Sequence, residues 1–367
     1  MISYTLSLLD LKLEAAHDMN EGPQVAIIGA GIAGSVLASI LCRRKIPTIL
    51  IDKAVPAPSL TYACSIQKRT MDKLAATVGG GDEFLGKSMG LASPSTTSTL
   101  GDVYVHRGVL GELLRERAPG VIQAEATAVS TNPLVITLSD GRKIQPQVLV
   151  AADGPHSSVR SLLNVTSPLQ PLAYVVIRGT RRLSGSPTFL VPTEALKVGP
   201  VRLAMSVVKA PDGVGHTLSY TYSRRSTQDD LIHSPNRPLT NARAIPEAFY
   251  HEVDALQDLP EPFSQIFNSR ALREDRLLHW VMRSGLIPPS AMDDLAGQGV
   301  VFMGDAVHPM PILGGTGANE AVDDALALAE ILQNGDSLQS YSAGRHQEWR
   351  VAVDEAEKAI DAMHASS

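Results

Sequence analysis

The sequence predicts an α/β protein. A parallel-sheet domain is interrupted by an inserted antiparallel-sheet α+β domain and closed by C-terminal helices. Three observations predict it. A short apolar run, Val25–Ile28, enters a glycine-rich turn and then a helical pattern. A similar run, Val300–Met303, returns near the other end of the chain, as a strand rejoining the same sheet does. Between them, from about Pro168 to Pro289, proline-rich breaks alternate with strand-like runs such as Tyr174–Ile177, Val201–Val208 and Thr217–Tyr222.

The glycine-rich turn is the organising element. Gly29-x-Gly31-x-x-Gly34 follows the strand, and the apolar residues Val36, Leu37, Ile40 and Leu41 mark the helix after it. Gly29 allows the tight turn, Gly31 a close backbone approach by a diphosphate, and Gly34 close helix–strand packing. The helix N-terminus offers free N–H groups and a positive dipole end to that diphosphate. A second strand, Thr48–Ile51, ends in Asp52, where the Rossmann-like fingerprint needs an acid for a ribose hydroxyl.

Composition narrows the function. With 44% hydrophobic and 19% charged residues the 367-residue chain is globular. A net charge of −6 argues against broad nucleic-acid binding and against an anionic membrane surface. Cys42 and Cys64 form no metal-ligand spacing, and no His-Glu-x-x-His occurs. No apolar run is long enough for a membrane span. Asp10 and Lys12 interrupt the early leucines, so a signal peptide is not expected and a cytoplasmic location is.

Along the chain, residues 1–23 form an N-terminal extension without a motif. A helix is expected around Ile66–Val78, a polar loop or edge strand at Ser93–Thr99, and a strand at Val103–Val105 before a helix at Gly108–Arg117. Val121–Ala124, Leu134–Leu138 and the run from Ile144 read as a β-meander, with Asp140-Gly141 as a hairpin turn. Val148–Ala151 is a buried strand. A helix is expected at about Pro246–Leu256, and two more at Ala318–Gln333 and Leu338–His364. The expected domains are therefore 24–167 with 290–334, the insert 168–289, and a C-terminal helix at 335–367.

Two further motifs carry chemistry. In Ala151-Ala152-Asp153-Gly154-Pro155-His156-Ser157-Ser158-Val159-Arg160 a buried strand ends in an acid and a glycine before a helix with serine N-caps. In Gly304-Asp305-Ala306-Val307-His308-Pro309 the acid projects from the C-terminal sheet edge, where open α/β sheets bind ligands. Gly314, Gly315 and Gly317 allow a flat ring to approach, and the helix beginning near Gly317-Ala318-Asn319 offers an anion site.

These three stretches, in this order, resemble the class A FAD-dependent flavoprotein monooxygenases of the para-hydroxybenzoate hydroxylase fold. The segment Arg273–Arg283 is similar to fungal members linked to secondary metabolism. The resemblance implies a Rossmann-like FAD-binding domain with an inserted substrate domain. By motif, Gly29, Gly31 and Gly34 would line the FAD diphosphate and Asp52 would hold the adenosine ribose. Arg107 would lie near the FAD. Asp305 would bind the ribityl-diphosphate part, and Gly317 and Ala318 the isoalloxazine end. Asp153 and Arg160 match a motif tied to FAD and reduced nicotinamide, and His308 shapes its loop. Two departures stand out: Asp52 replaces the usual Glu, and Ser59–Ser65 lacks a glycine often found near the flavin.

The implied reaction uses NADPH or NADH and O2, activated at the flavin, to oxygenate a small-molecule substrate. The resemblance leaves open a non-oxygenating FAD enzyme or a non-catalytic FAD-binding protein. Arg178, Tyr220 and Tyr222 lie on predicted strands of the insert and are the candidate substrate-site residues, Arg178 for a phenolate or carboxylate. Aromatic residues make up 4% of the chain, so an aliphatic, methionine-lined pocket is expected, suited to a polycyclic or terpenoid-derived substrate or a simple phenol.

Overall fold

The structure is a computed structural model, and it describes residues 23–54, 63–89, 102–166, 169–183, 193–210, 214–237 and 242–365. The expectations for residues 1–22, Ser93–Thr99 and Tyr62 lie outside the described residues.

A five-stranded parallel sheet forms the first layer. Its strands are β1 (Val25–Ile28), β2 (Thr48–Asp52), β5 (Val121–Gln123), β9 (Val148–Ala151) and β15 (Val300–Phe302), in the order β15-β9-β1-β2-β5. β1 and β15 are buried along their whole length, which explains their unbroken apolar sequences. Helix α1 (Ile32–Arg43) packs against the sheet through a buried face that includes Val36, Leu37, Ile40 and Leu41.

The interval between β2 and β5 holds a two-stranded ribbon, β3 (Ala63–Gln67) with β4 (Asp102–His106). It also holds helices α2 (Lys68–Val78), α3 (Gly81–Met89) and α4 (Arg107–Arg117). The helical pattern expected from Ile66 thus starts two residues later. Ile66 and Gln67 pair across the ribbon with Val103 and Asp102 instead. The expected meander also divides. β6 (Ala126–Thr131), β7 (Leu134–Leu138) and β8 (Lys143–Ile144) form a small antiparallel sheet, but Val121–Gln123 pairs in parallel with β2. Local pattern identifies a strand; only long-range pairing chooses its partner.

The second layer is a five-stranded antiparallel sheet in the order β11-β12-β13-β10-β14. Its strands are β10 (Gln170–Leu183), β11 (Thr193–Val198), β12 (Val201–Lys209), β13 (His216–Arg225) and β14 (Arg276–Ser284). One face is covered by α6 (Glu247–Asp254), α7 (Phe263–Ile266) and α8 (Ser269–Glu274), which close an apolar core with Val175, Ile177, Leu203 and Leu218. The other face looks toward the parallel sheet. After α9 (Pro289–Ala296) and β15 the chain forms α10 (Gly317–Asn334) and α11 (Leu338–Met363). No helix among the described residues is long and apolar enough to cross a membrane.

Helix α11 ties the two layers together. Trp349, fully buried, belongs to the core around the parallel sheet. Farther along, Ile360 packs with Tyr174, Val176 and Met282 of the antiparallel sheet. Asp361 accepts a 2.5 Å hydrogen bond from Tyr174 and pairs with Arg225.

The antiparallel sheet corrects two expectations. Strand alternation puts Tyr220 and Tyr222 on the helix-covered face, away from the parallel sheet. Tyr220 packs over Gly179, edge-on to Phe267, and its hydroxyl bonds Asp275. The Tyr222 hydroxyl donates to Glu252 at 2.6 Å, and Glu252 also receives Arg224. These are core phenols whose hydroxyls are satisfied by acids on the helix-covered face, so neither meets a substrate. Tyr222→Phe should therefore lower unfolding free energy by about 1.5–3 kcal/mol in a denaturant titration while flavin content stays at the wild-type level.

Candidate active site

All three motifs meet at the C-terminal edge of the parallel sheet, and the glycines set how closely. A Cβ on Gly34 would lie 1.9 Å from the Gly29 carbonyl oxygen, and one on Gly29 would lie 2.3 Å from the Ala152 carbonyl oxygen. The first motif is therefore packed directly against the second. Gly31 differs: nothing stands within 4 Å of its Cβ direction. It opens onto a cleft of about 880 Å³ between the two sheets. Gly31 also caps α1 without any side-chain partner for the first turn, leaving that N-terminus turned to the cleft.

The cleft gathers residues distant in sequence. Gly31, Ile32 and Ala33 come from the first motif, Ala152, Gly154, Pro155 and His156 from the second, and Asp305, Gly315, Gly317 and Ala318 from the third. Arg107, the first residue of α4, lines it as well. Asp52 sits beside the first turn, where one carboxylate oxygen accepts from Ala30 N–H at 2.6 Å and the other from Ala54 N–H at 2.8 Å. Glycine packing, an open Gly31 and a bare helix end suit a bound diphosphate.

Asp305 lines the cleft and is exposed to solvent there. The protein packed around its other sides pushes its pKa up, while His308 and Arg107 pull it down. The Gly317 Cβ direction ends 3.9 Å from Asp305 Oδ1, so this acid lies at the start of α10. Cys64 also lines the cleft; burial pushes its thiol up to about 11 against the pull of Arg107 and Arg178. It is a neutral thiol at physiological pH.

Two expectations for the second motif need correction. Asp153 does not line the cleft. Its Oδ2 accepts from Ser158 Oγ at 3.0 Å and Val159 N–H at 3.1 Å, fixing the start of α5 (Ser158–Leu162). Arg160 does not reach the cleft either. It is 6% exposed, and its guanidinium donates to the carbonyls of Ala306, at 2.7 Å, and Pro155. Arg160 thus staples the Asp-Gly loop to the Gly-Asp loop. Both residues shape the wall.

Beneath the Gly-Asp motif lies a group the sequence reading missed. Asp324, wholly buried, accepts from Gly304 N–H (2.8 Å), His308 Nε2 (2.6 Å), Trp349 Nε1 (2.7 Å) and Arg345 Nε (3.0 Å). Arg345 also reaches Glu320 at 2.7 Å. Burial alone would raise Asp324, but His308 and Arg345 hold its pKa below the ordinary value. Burial alone would lower His308, but Asp324 holds it above. His308 is thus a buried partner of Asp324 that shapes its loop, as expected, and it is closed off from the cleft. The i-to-i+16 separation of His308 and Asp324 gave no periodic signal.

On the opposite wall, the cleft-facing residues of the antiparallel sheet include Arg178, Arg202, Ser206, Ser219 and Thr221. Of the three candidates in the insert, only Arg178 faces the cleft. Leu278, Trp280, Met282, Ile312 and Leu313 supply an apolar side.

Two tests follow. Gly31→Val should fold, because its φ of −70° and open surroundings accept a side chain, yet lose FAD. Gly34→Ala, by contrast, should compromise folding itself, read as melting temperature and soluble yield. Asp324→Asn should cost about 3–5 kcal/mol in chemical denaturation, since it takes the buried His308 from its acidic partner. The wild-type pair contributes fully between the ordinary Asp and His values of 3.8 and 6.5. It fades as pH rises through the raised His308 value or falls through the lowered Asp324 value, and the variant should lack that dependence.

Comparison with known proteins agrees with this architecture. A model of the FAD binding domain matches residues 23–132 and 290–356. The chain is 29% identical to the FAD-dependent monooxygenase adaC of Aspergillus niger, over 84% of each chain. It is 27% identical to the FAD-dependent monooxygenase aptC of Emericella nidulans, over 84% of this chain and 85% of the relative. Among solved structures, 2,6-dihydroxypyridine-3-hydroxylase from Arthrobacter nicotinovorans superposes with a TM-score of 0.70 at 17% identity, covering 95% of both chains. HpxO of Klebsiella pneumoniae, solved with FAD and uric acid, gives 0.69 at 18% identity, covering 93% and 89%. The shared fold, the convergent motifs and these relatives support the resemblance to the class A FAD-dependent flavoprotein monooxygenases of the para-hydroxybenzoate hydroxylase fold.

Proposed function

We propose that this protein is an FAD-dependent monooxygenase that uses NADPH or NADH and O2 to hydroxylate, epoxidise or otherwise oxygenate a small organic substrate, in fungal secondary metabolism. The observation that carries the reading is the single cleft shared by all three motifs and by the polar face of the antiparallel sheet. One end suits a dinucleotide, and the other leaves room for a substrate beside it.

FAD, when bound, supplies the redox chemistry: two electrons taken from reduced nicotinamide are passed to dioxygen, so that one oxygen atom enters the substrate and the other leaves as water. The chain supplies position and enclosure. Gly31 and the start of α1 would receive the diphosphate, Asp52 a ribose hydroxyl, and Asp305 the hydroxyls of the ribityl arm. Gly317 and Ala318 would bring the positive end of α10 to the ring. Arg107 would stand near the flavin and Arg178 would orient an ionised substrate group. Leu278, Trp280 and Met282 would exclude water from the reacting atoms.

The purified protein should be yellow. With its substrate it should consume NADPH or NADH and O2, and an experiment in ¹⁸O2 should place label in the product. Reduction of a substrate without O2 uptake would overturn this reading. Asp305→Ala should reduce flavin retention; wild-type flavin content in that variant would refute the role given to Asp305.

A further inference from the structure

The apolar stripe of α11 ends on a histidine. Its buried residues include Trp349, Val353, Ala356 and Ile360, at helical spacing. The next position in the series is His364, which closes the helix and is 6% exposed. An aliphatic side chain would complete the stripe without conditions. An imidazole completes it only if both ring nitrogens find partners.

Both do. Nδ1 lies 2.9 Å from the Ile360 carbonyl oxygen, and Nε2 lies 2.9 Å from Ser223 Oγ. A carbonyl only accepts, so Nδ1 carries the hydrogen, and in the neutral ring Nε2 accepts from the serine. Ser223 is wholly buried on β13, opposite Val176 and Arg202, on the cleft side of the antiparallel sheet. Tyr174 of β10 packs against the imidazole, with ring centroids 5.0 Å apart. The charged neighbours on other elements are cations: Arg202 of β12, Arg225 of β13 and Lys197 of β11. Asp361, the nearby acid on α11, is already engaged by Tyr174 and Arg225. Burial and the three cations hold the His364 pKa below its ordinary value, against the pull of the Ile360 carbonyl.

This end of α11 bears on the cleft. Ile360 packs with Met282, Trp280, Ile312 and Leu313, which give the cleft its apolar side. A Cβ on Gly314 would lie 2.6 Å from that of Ala356, so the turn Ile312–Gly314 rests directly on the helix. Beyond Ile360 the fastening is polar, and the exposed Arg225–Asp361 pair contributes little by itself.

We propose that the last turn of α11 is a latch released by acid. With His364 neutral it fastens the antiparallel sheet and the Ile312–Gly314 turn to one another. A proton on Nε2 turns an acceptor into a donor, sets a cation among Arg202, Arg225 and Lys197, and frees that end of the cleft. The hold is complete above the ordinary His value of 6.5 and is lost as pH falls through the lowered value.

Hydrogen–deuterium exchange of the flavin-loaded protein at about pH 7.5 and about pH 5, corrected for the intrinsic effect of pH, tests this. Protection of residues 356–365 should fall about tenfold or more at the lower pH, and that of 278–284 and 311–316 should fall with it, while β1 stays protected. His364→Gln offers an amide that cannot take a proton, so its protection should change less than about threefold. Ser223→Ala removes the hydroxyl that favours the neutral ring, so the midpoint of the loss should move to higher pH. Equal protection of 356–365 at both pH values overturns the proposal. So does an acid loss that persists in His364→Gln or spreads to β1. Loosening of 356–365 with 278–284 and 311–316 unchanged overturns its hold on the cleft. If His364→Gln is already open at the higher pH, Ser223→Ala decides, and an unmoved midpoint overturns the proposal.

Discussion

One buried carboxylate governs the position of the site. Asp324 on α10 receives hydrogen bonds from the backbone at the end of β15, from His308 of the following loop, and from Trp349 and Arg345 of α11. An anion buried without such partners would cost several kcal/mol. Held by all four donors it is satisfied only when sheet edge, loop and both helices are in register. The same arrangement leaves the neighbouring Asp305 turned outward, open to the cleft. The acid that faces the ligand is thus placed by an acid that never meets it.

Around that anchor the three motifs are joined by contacts of two kinds. Backbone meets backbone where Gly29 and Gly34 leave no room for a methyl group, which brings the first turn against the end of β9. Side chain meets backbone where Arg160 spans from the Asp-Gly loop to the Ala306 carbonyl. Each contact is made within the protein itself, so the three motifs are joined before anything binds. Preorganisation of this sort lowers the cost of fixing a cofactor and a substrate together.

The antiparallel sheet divides its work by face. Its helix-covered face is a satisfied core in which phenols and acids pair, as Tyr222 does with Glu252 and Tyr220 with Asp275. Its cleft face keeps guanidinium and hydroxyl groups turned to open space, beside a patch of Trp, Met and Leu side chains. Helix α11 holds the sheet at a fixed distance from the dinucleotide edge, since Trp349 anchors one end and Ile360 and Asp361 the other. Helix α11 thus spans from the core of the parallel sheet to the antiparallel sheet.

The sequence alone determined the parallel sheet, the glycine turn, the inserted antiparallel domain and the terminal helices. These depend on local periodicity and on glycines whose function is backbone geometry. Gly31, Arg107, Asp305, Gly317 and Ala318, singled out by motif, all line the cleft. Only the tertiary structure decided the rest. Strand β14 was not legible, since its run Arg276–Ser284 mixes charged and apolar residues that make sense only beside β10. Tyr220, Tyr222 and Arg178 read alike in sequence, because a one-residue offset along a strand reverses the face and only pairing fixes which face is covered. Arg160 and Asp324 gained their roles from partners far along the chain or in another motif, and no local pattern encodes a buried charge whose partners arrive from separate elements.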